Sequence, residues 1–179
     1  MSKKASLVWV DLEMTGLVPG EDKILEVAAI LTGWDLKPIK EYQGVVKVSE
    51  EIIKTRMVGE FWEKNRESYN GLVEQNKTGK DVKEIEDELI KIIEQDCKDT
   101  VYLAGNSIHQ DRKFIEQEMP RLNKKLHYRM LDVSAWKVYF ENALNKKFMK
   151  PEAHRALSDI QGSIDELKFY LNFLKKERG

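Results

Sequence analysis

The hydrophobic pattern at the start of the chain predicts three β-strands in succession. Residues 5–12 form an apolar run typical of a buried strand, and residues 23–34 form a second run bounded by turn-like segments. Residues 40–48 alternate between apolar and polar positions, which favours a third strand with one buried face. Three consecutive strands joined by turns indicate an antiparallel meander.

After this meander the pattern changes to alternating helices and strands. The predicted elements are a helix at 81–96, a strand at 101–106, a helix at 110–119 that stops at Pro120, a strand at 127–134 and a helix after Pro151. Either Asp132 or Ser134 is expected to cap a helix that follows the last strand. The apolar residues of the last helix recur at positions 157, 160, 164, 167, 171 and 174, a stripe at heptad spacing.

Strands followed by alternating helices and strands predict an α/β fold with a mixed sheet and helices on both faces. The chain contains no linker, repeat or low-complexity segment, so residues 1–179 are interpreted as a single domain.

Charge and composition narrow the possible partners. Charged residues make up 34% of the chain, hydrophobic residues make up 41%, and the formal net charge is −1. A protein that coats long nucleic acid usually carries a strong basic excess, which is absent here. A nucleic-acid substrate would therefore be short, or held in a pocket.

Other features indicate the compartment. No apolar stretch approaches the length of a membrane span, and the first predicted strand begins too early to leave room for a leader. The single Cys97 has no internal disulfide partner, which fits a reducing environment and a structural role. The expectation is a cytoplasmic protein with no membrane contact.

Two acids end the first predicted strand. Residues two apart in a strand share a face, so Asp11 and Glu13 project together, with Cα atoms roughly 7 Å apart. Two neighbouring buried carboxylates are costly without a counter-charge. For an isolated Asp-x-Glu, the ordinary interpretation is a strand end at the surface with both acids in solvent.

Further acids stand at comparable places. Asp111 follows the strand at 101–106, and Asp159 lies early in the last helix, five residues after His154. Taken singly, the acids would favour helix N-termini, and His154 would be a surface or capping histidine. Ligands of open α/β sheets bind beyond the carboxyl ends of strands. Converging acids there would suit two Mg²⁺ or Mn²⁺ ions, with a histidine to deprotonate water.

The order Asp11-x-Glu13, Asp111, His154, Asp159 resembles that of the DEDDh 3′–5′ exonuclease superfamily, named for its four acids and a histidine. The stretches "WVDLEMTGL", "GNSIHQDRKFI", "YRMLDVS" and "HRALSDIQGSIDEL", which span residues 9–167, are similar to the oligoribonuclease family within it. The resemblance implies a ribonuclease H-like fold, four acids that bind two divalent ions, and His154 as the general base.

The resemblance also implies a substrate and its binding residues. Oligoribonucleases release 5′-mononucleotides from the 3′ end of very short RNAs, with dinucleotides favoured. Leu17 is similar to an apolar wedge between the two bases, Trp62 to a base-stacking platform, and Tyr128 to a tyrosine that enters the partner's site in a homodimer. The residues that match those around the 5′ phosphate are Ser107, Gln110, Arg129 and Ser134.

One departure from the family pattern concerns the segment after Trp62. The family shows a histidine five positions later and then Ser-Gly-Leu, whereas this chain has Glu67 and, ahead of Gly71, Asn70. An acid there would weaken phosphate binding and puts strict dinucleotide preference in question. The alternatives are an enzyme of the same superfamily that trims longer RNA or DNA, and a non-catalytic RNA-binding protein with the same fold. His109 and His127 match no role.

Overall fold

The structure is a computed structural model that describes residues 4–149 and 156–176. Its centre is a five-stranded sheet with the order β3-β2-β1-β4-β5. The strands are β1 (Ala5–Met14), β2 (Ile24–Thr32), β3 (Pro38–Val45), β4 (Cys97–Gly105) and β5 (Met130–Asp132). β1, β2 and β3 pair antiparallel, whereas β1, β4 and β5 pair parallel. The predicted meander and mixed sheet are confirmed.

The helices are α1 (Glu50–Arg56), α2 (Glu60–Lys64), α3 (Arg66–Asn76), α4 (Val82–Asp96), α5 (His109–Glu118), α6 (Pro120–Lys125), α7 (Val133–Leu144) and α8 (Ala156–Lys176). Pro120 does end α5, but it also begins α6, since the first position of a helix needs no amide hydrogen. Asp132 is the cap of α7, because its carboxylate accepts a hydrogen bond from the Ser134 N–H. No helix in the described part of the chain is long and apolar enough to cross a membrane.

The two faces of the sheet bury different helices. Val8, Val10 and Leu12 of β1 belong to a core shared with α1 to α6, while Leu7 and Trp9 belong to a core shared with α7 and α8. The alternation follows from the strand, in which neighbouring side chains point to opposite faces. The prediction of helices on both faces is therefore confirmed, and each face can bring functional groups to the end of β1.

The buried face of α8 differs from the predicted stripe. The buried residues are Ala156, Ile160, Ser163, Ile164, Glu166, Leu167 and Tyr170. Leu157 and Leu171 are half-buried and pack against the core shared with α7 and α8, whereas Leu174 is exposed, so the predicted stripe is wrong only at Leu174. A straight helix drifts by roughly 20° per heptad relative to a strict seven-residue repeat. The buried face therefore also includes Ser163, Glu166 and Tyr170, which a hydrophobic stripe cannot indicate.

Candidate active site

The end of β1 lies at the centre of the sheet, between β2 and β4. Asp11 and Glu13 continue the row of Leu7 and Trp9, so they face the layer that contains α8. The first turn of α8 carries Asp159. β1 and α8 thus bring three of the four predicted acids to the edge of the sheet that is formed by the carboxyl ends of β1 and β4.

Asp111 reaches the same edge from the opposite layer. It lies in the first turn of α5, is buried, and its Oδ1 accepts a hydrogen bond from the Leu12 N–H at 3.1 Å. The preceding turn depends on Gly105, where a Cβ would lie 3.0 Å from the Val10 carbonyl oxygen and 2.9 Å from Ile108 Cδ1. Glycine therefore lets β4 pass close to β1 before the chain turns into α5.

The electrostatics of Glu13 show that the acids influence one another. Burial is the largest cause that raises its pKa to about 7, and the negative charges of Glu26, Asp159 and Asp111 add to it. Burial also raises the pKa of Asp111 to about 7, against the hydrogen bonds that it accepts from backbone N–H groups. A cation at this edge would favour the ionised carboxylates.

The donor chemistry of the site fits a hard divalent cation. All four predicted groups offer carboxylate oxygens, the ligands that Mg²⁺ and Mn²⁺ prefer. Among residues 4–149 and 156–176, no three carboxylate, histidine or cysteine side chains are already arranged around one metal position. The fit therefore rests on the clustered negative charge and on the oxygen donors.

Glu26 is a further acid that the sequence analysis missed. It is buried in β2 directly opposite Glu13, and its carboxylate accepts hydrogen bonds from Gln43 Nε2 at 2.6 Å and from Gln75 Nε2. The signal was an acid inside a strand whose other residues are nearly all apolar. Because its charge raises the pKa of Glu13, Glu26 belongs to the electrostatics of the site.

A polar cluster joins the ends of β4 and β5. Ser107 has a left-handed backbone with φ of +49°, and its N–H donates to Asp132 Oδ1 at 3.0 Å and to Ser134 Oγ at 2.9 Å. The two serine hydroxyls are 3.1 Å apart. Asn106 anchors this cluster to α8, since its Nδ2 donates to Glu166 Oε2 at 3.0 Å. The structure thus brings Ser107 and Ser134 together, and adds Asp132 and Asn106 as supports.

A hydrogen bond joins Gln110 to the loop that carries Leu17. Leu17 lies in the loop of residues 15–23 between β1 and β2, and 68% of its surface is exposed. Gln110 Nε2 donates a hydrogen bond to the Leu17 carbonyl oxygen at 2.8 Å. Because Gln110 precedes Asp111 on α5, the exposed leucine is tied to the helix that carries one of the acids.

Trp62 lies in the core of the α1–α6 layer and is only 7% exposed. Phe61 and Tyr69 meet its ring edge to face, with centroids 5.1 Å and 6.1 Å away. Trp62 also borders a cavity of about 250 Å³. A base that stacks on Trp62 would therefore have to enter this cavity.

The departure from the family pattern lies beside this cavity. Arg66, and not Glu67, is among its lining residues, together with Lys54 and Tyr69. The Arg66 guanidinium carbon lies 4.6 Å from the centroid of the Tyr69 ring. The cavity therefore has cations from Lys54 and Arg66 and one acid, Glu63, while Glu67 is not among its lining residues.

Tyr128 and Arg129 lie away from the other predicted residues. They precede β5, whose first residue, Met130, is level with Leu103 of β4 and with Val8 of β1, three residues before Asp11. Tyr128 is 71% exposed and packs against the His127 ring, while the Arg129 guanidinium carbon lies 5.3 Å from its centroid. The structure does not bring Tyr128 to the acids of its own chain.

The histidines have different positions. His154 falls outside the described residues, two positions before the start of α8. His127 has a structural contact, since its N–H donates to the Val101 carbonyl oxygen at 2.8 Å. His109 is exposed beside Asp132, with Nδ1 3.6 Å from Oδ2.

Comparisons of sequence give a consistent family. The model of the family described as "Exonuclease" matches residues 8–167. The oligoribonuclease of Ruthia magnifica subsp. Calyptogena magnifica is 36% identical over 177 residues, which cover 96% of this chain and 97% of that protein. The oligoribonuclease of Corynebacterium glutamicum (strain R) is 43% identical, with coverage of 92% and 77%. The human "Oligoribonuclease, mitochondrial" is 35% identical, with coverage of 96% and 74%.

Solved structures share the fold. Exonuclease I of Methylocaldum szegediense matches with a TM-score of 0.64 and 18% identity, and the match covers 98% of this chain and 44% of that one. The zinc-bound Escherichia coli ExoI–ssDNA complex matches with a TM-score of 0.61 and 12% identity, with coverage of 99% and 44%. The chain spans less than half the length of these two proteins.

Proposed function

Since the chain belongs to the exonuclease family and is a 3′–5′ exoribonuclease of its oligoribonuclease branch, we propose that it degrades very short RNAs, dinucleotides above all, to 5′-mononucleotides. One observation carries the proposal. β1, α5 and α8 bring Asp11, Glu13, Asp111 and Asp159 to one edge of the sheet, although 148 positions separate the first from the last. The exposed Leu17 is hydrogen-bonded to Gln110, the residue before Asp111.

The acids would hold two Mg²⁺ or Mn²⁺ ions. When bound, the pair of ions supplies positive charge to the attacking and leaving oxygens of the phosphodiester. The four carboxylates fix where that charge lies relative to the substrate. His154 accepts the proton of the attacking water, a role that suits a group that titrates near neutrality and binds no metal.

The binding residues act on the two ends of a short substrate. Leu17 separates the two bases, and Trp62 receives one base at the cavity. Stacking on an aromatic ring contributes roughly 1–3 kcal/mol per base and depends little on sequence, which suits an enzyme for every dinucleotide. Ser107, Gln110 and Ser134 bind the 5′ phosphate, and Arg129, which lies beside Tyr128 and away from these three, would join them from the partner subunit. A chain longer than a dinucleotide cannot place its 5′ phosphate among these residues while its 3′ end lies at the acids. These contacts therefore favour dinucleotides over longer chains.

Length preference tests the proposed function. A 5′-phosphorylated dinucleotide is expected to be cleaved faster than a 5′-phosphorylated heptamer at equal, sub-saturating concentration. The reason is that only the dinucleotide can place its 5′ phosphate among the phosphate-binding residues while its 3′ end lies at the acids. The measurement is a timed digest of 5′-labelled RNAs of two to seven nucleotides with Mg²⁺ or Mn²⁺. A dinucleotide with a 5′ hydroxyl is the control for the phosphate contacts. Equal rates, or faster cleavage of the heptamer, would assign the enzyme to trimming of longer chains.

Tyr128 supports a homodimer. Its ring is exposed and contacts His127 and Arg129 rather than the acids of its own chain. In an isologous dimer each subunit contributes the same residue to the other. Tyr128 of one subunit then completes the site of its partner.

Mixing two inactive variants tests this trans role. Tyr128→Ala subunits keep their acids and Asp11→Asn subunits keep their tyrosine, so a mixed dimer holds one complete site. Random exchange at equal amounts should restore about a quarter of all sites. The measurement is dinucleotide cleavage after subunit exchange has been verified by native mass spectrometry. If activity stays at the sum of the two parents, Tyr128 acts within its own chain.

A further inference from the structure

The 15–23 loop combines an exposed leucine with an unusually well-fixed backbone. We propose that the ion pair of Arg56 with Asp22 is a positioning device that holds Leu17 at a set place beside the acids, and so determines specificity for substrates with two bases. This inference rests on the proposed function. The sequence alone indicates only that Asp22 belongs to a turn-like segment.

Asp22 organises the loop from inside. Its side chain is 2% exposed, and Oδ1 accepts a hydrogen bond from Thr15 Oγ1 at 3.0 Å while Oδ2 accepts one from the Val18 N–H at 2.9 Å. Thr15 Oγ1 in turn accepts from the Lys23 N–H at 3.0 Å. These bonds join both sides of the loop around the Asp22 carboxylate. Leu17 therefore lies between Thr15 and Val18, which are both hydrogen-bonded to this carboxylate.

Arg56 connects this carboxylate to the end of α1. Its Nε donates to Asp22 Oδ1 at 2.8 Å and its Nη2 donates to Oδ2 at 3.0 Å, a two-point contact that fixes orientation as well as distance. Its Nη1 donates to Glu21 Oε2 at 3.0 Å. The Arg56 guanidinium holds the pKa of Asp22 below its usual range, so the pair stays ionised at neutral pH.

Gly16 shows how closely the carboxylate lies under the loop. A Cβ at this position would lie 2.6 Å from Asp22 Oδ2 and 2.7 Å from Oδ1, which is closer than Cβ atoms come to non-bonded heavy atoms. Glycine is therefore required next to Leu17 by the contact with Asp22 and not by an unusual backbone angle.

The loop is held from two sides. α1 holds it through Arg56, and α5 holds it through the Gln110 bond to the Leu17 carbonyl oxygen. α5 also carries Asp111. The distance between the leucine and the acids is thus set by hydrogen bonds on both sides, which is what a wedge between the two bases of a dinucleotide requires.

A purely stabilising role is the competing explanation, and the chain offers a matched control. Arg121, like Arg56, uses three guanidinium nitrogens: Nε and Nη2 contact Glu86 Oε2, and Nη1 contacts Asp87 Oδ1. Glu86, like Asp22, is 2% exposed at its side chain. This second pair joins α6 to α4 and touches none of the residues proposed for substrate.

The experiment compares Arg56→Gln with Arg121→Gln on two substrates. One is a 5′-phosphorylated dinucleotide, and the other is the p-nitrophenyl ester of thymidine 5′-monophosphate, which has a single base and needs no wedge. Arg56→Gln is expected to lower kcat/KM about tenfold for the dinucleotide and to leave ester hydrolysis within about twofold. Arg121→Gln should lower the melting temperature without changing the ratio of the two activities. Arg56→Lys keeps the charge with fewer contacts and should fall between wild type and Arg56→Gln.

A double-mutant cycle with Leu17→Ala completes the test. If Arg56 acts through Leu17, Arg56→Gln adds little to the loss of dinucleotide cleavage in the Leu17→Ala protein. Additive losses, equal losses on both substrates, or the same change of ratio in Arg121→Gln would overturn the inference. A wild type that fails to prefer dinucleotides would instead overturn the proposed function, so the two failures are distinct.

Discussion

Replacing any one of Asp11, Glu13, Asp111 and Asp159 by its amide is expected to remove nearly all nuclease activity and to leave the fold intact. Each carboxylate contributes charge at the edge of the sheet where two cations would bind, and metal charge stabilises such a transition state by several kcal/mol. Since about 1.4 kcal/mol is a tenfold change, kcat should fall by about 10³-fold or more. The measurement is dinucleotide turnover in saturating Mg²⁺, with circular dichroism to check folding.

Glu118→Gln is the matched control for Asp111→Asn. Glu118 lies on the same helix, and its Oε1 accepts a hydrogen bond from the Ile24 N–H at 3.3 Å, much as Asp111 accepts one from Leu12. In both variants the amide oxygen can still accept the backbone bond. Glu118→Gln should keep wild-type turnover, and near-wild-type turnover in Asp111→Asn would exclude Asp111 from the metal site.

The same series has a stability readout at Glu13. Its pKa is raised from 4.5 to about 7, so the folded protein binds this proton more tightly than the unfolded chain does. The ionised carboxylate therefore lowers stability as pH rises from about 4.5 to 7, by at most about 3 kcal/mol above that range. With a chelator present, Glu13→Gln should melt higher than wild type near pH 8 and equally near pH 4. Equal melting at both pH values would show that Glu13 carries no such electrostatic cost.

His154→Ala is expected to lower turnover by roughly 10²–10⁴-fold while metal affinity hardly changes. The reason is its proposed role as the base that takes the proton from water without binding an ion. The acidic limb of the pH–rate profile, which this base would produce, should disappear in the variant. The measurements are the pH dependence of kcat and a titration of activity with Mn²⁺.

The Mn²⁺ titration separates a base from a ligand. A ligand variant needs far more metal and recovers when metal is added, whereas a base variant stays slow at every concentration. Recovery of His154→Ala at high Mn²⁺ would therefore make His154 a ligand. Asp159→Asn, tested beside it, provides the expected behaviour of a lost ligand.

Much of the fold could be predicted because its signals are local. The apolar runs and the alternation of residues 40–48 identified β1, β2 and β3, and a one-sided apolar pattern identified α4. The four acids could be found because each stands at the end of a strand or the start of a helix. Periodicity and position along an element carry this information without any knowledge of distant contacts.

The remaining features depend on contacts across the molecule. Asp22 and Glu26 are buried carboxylates whose partners lie many residues away, so neither a turn signal nor an apolar strand reveals their role. The burial of Trp62 depends likewise on the packing of α2 and α3 around it, which no local pattern indicates. The polar contacts of Glu166 with Asn106 and Tyr170 bury a face of α8 that hydrophobicity alone could not indicate.

The proposed site draws two acids from the first strand and one from the last helix, and this order has a consequence for synthesis. A ribosome makes β1 first and α8 last, so every nascent chain that ends before Asp159 lacks one of the proposed ligands. α8 must also leave the exit tunnel before it can pack against β1. On the proposed site, a chain that is still being translated would therefore lack one of the four carboxylates until α8 has emerged and packed.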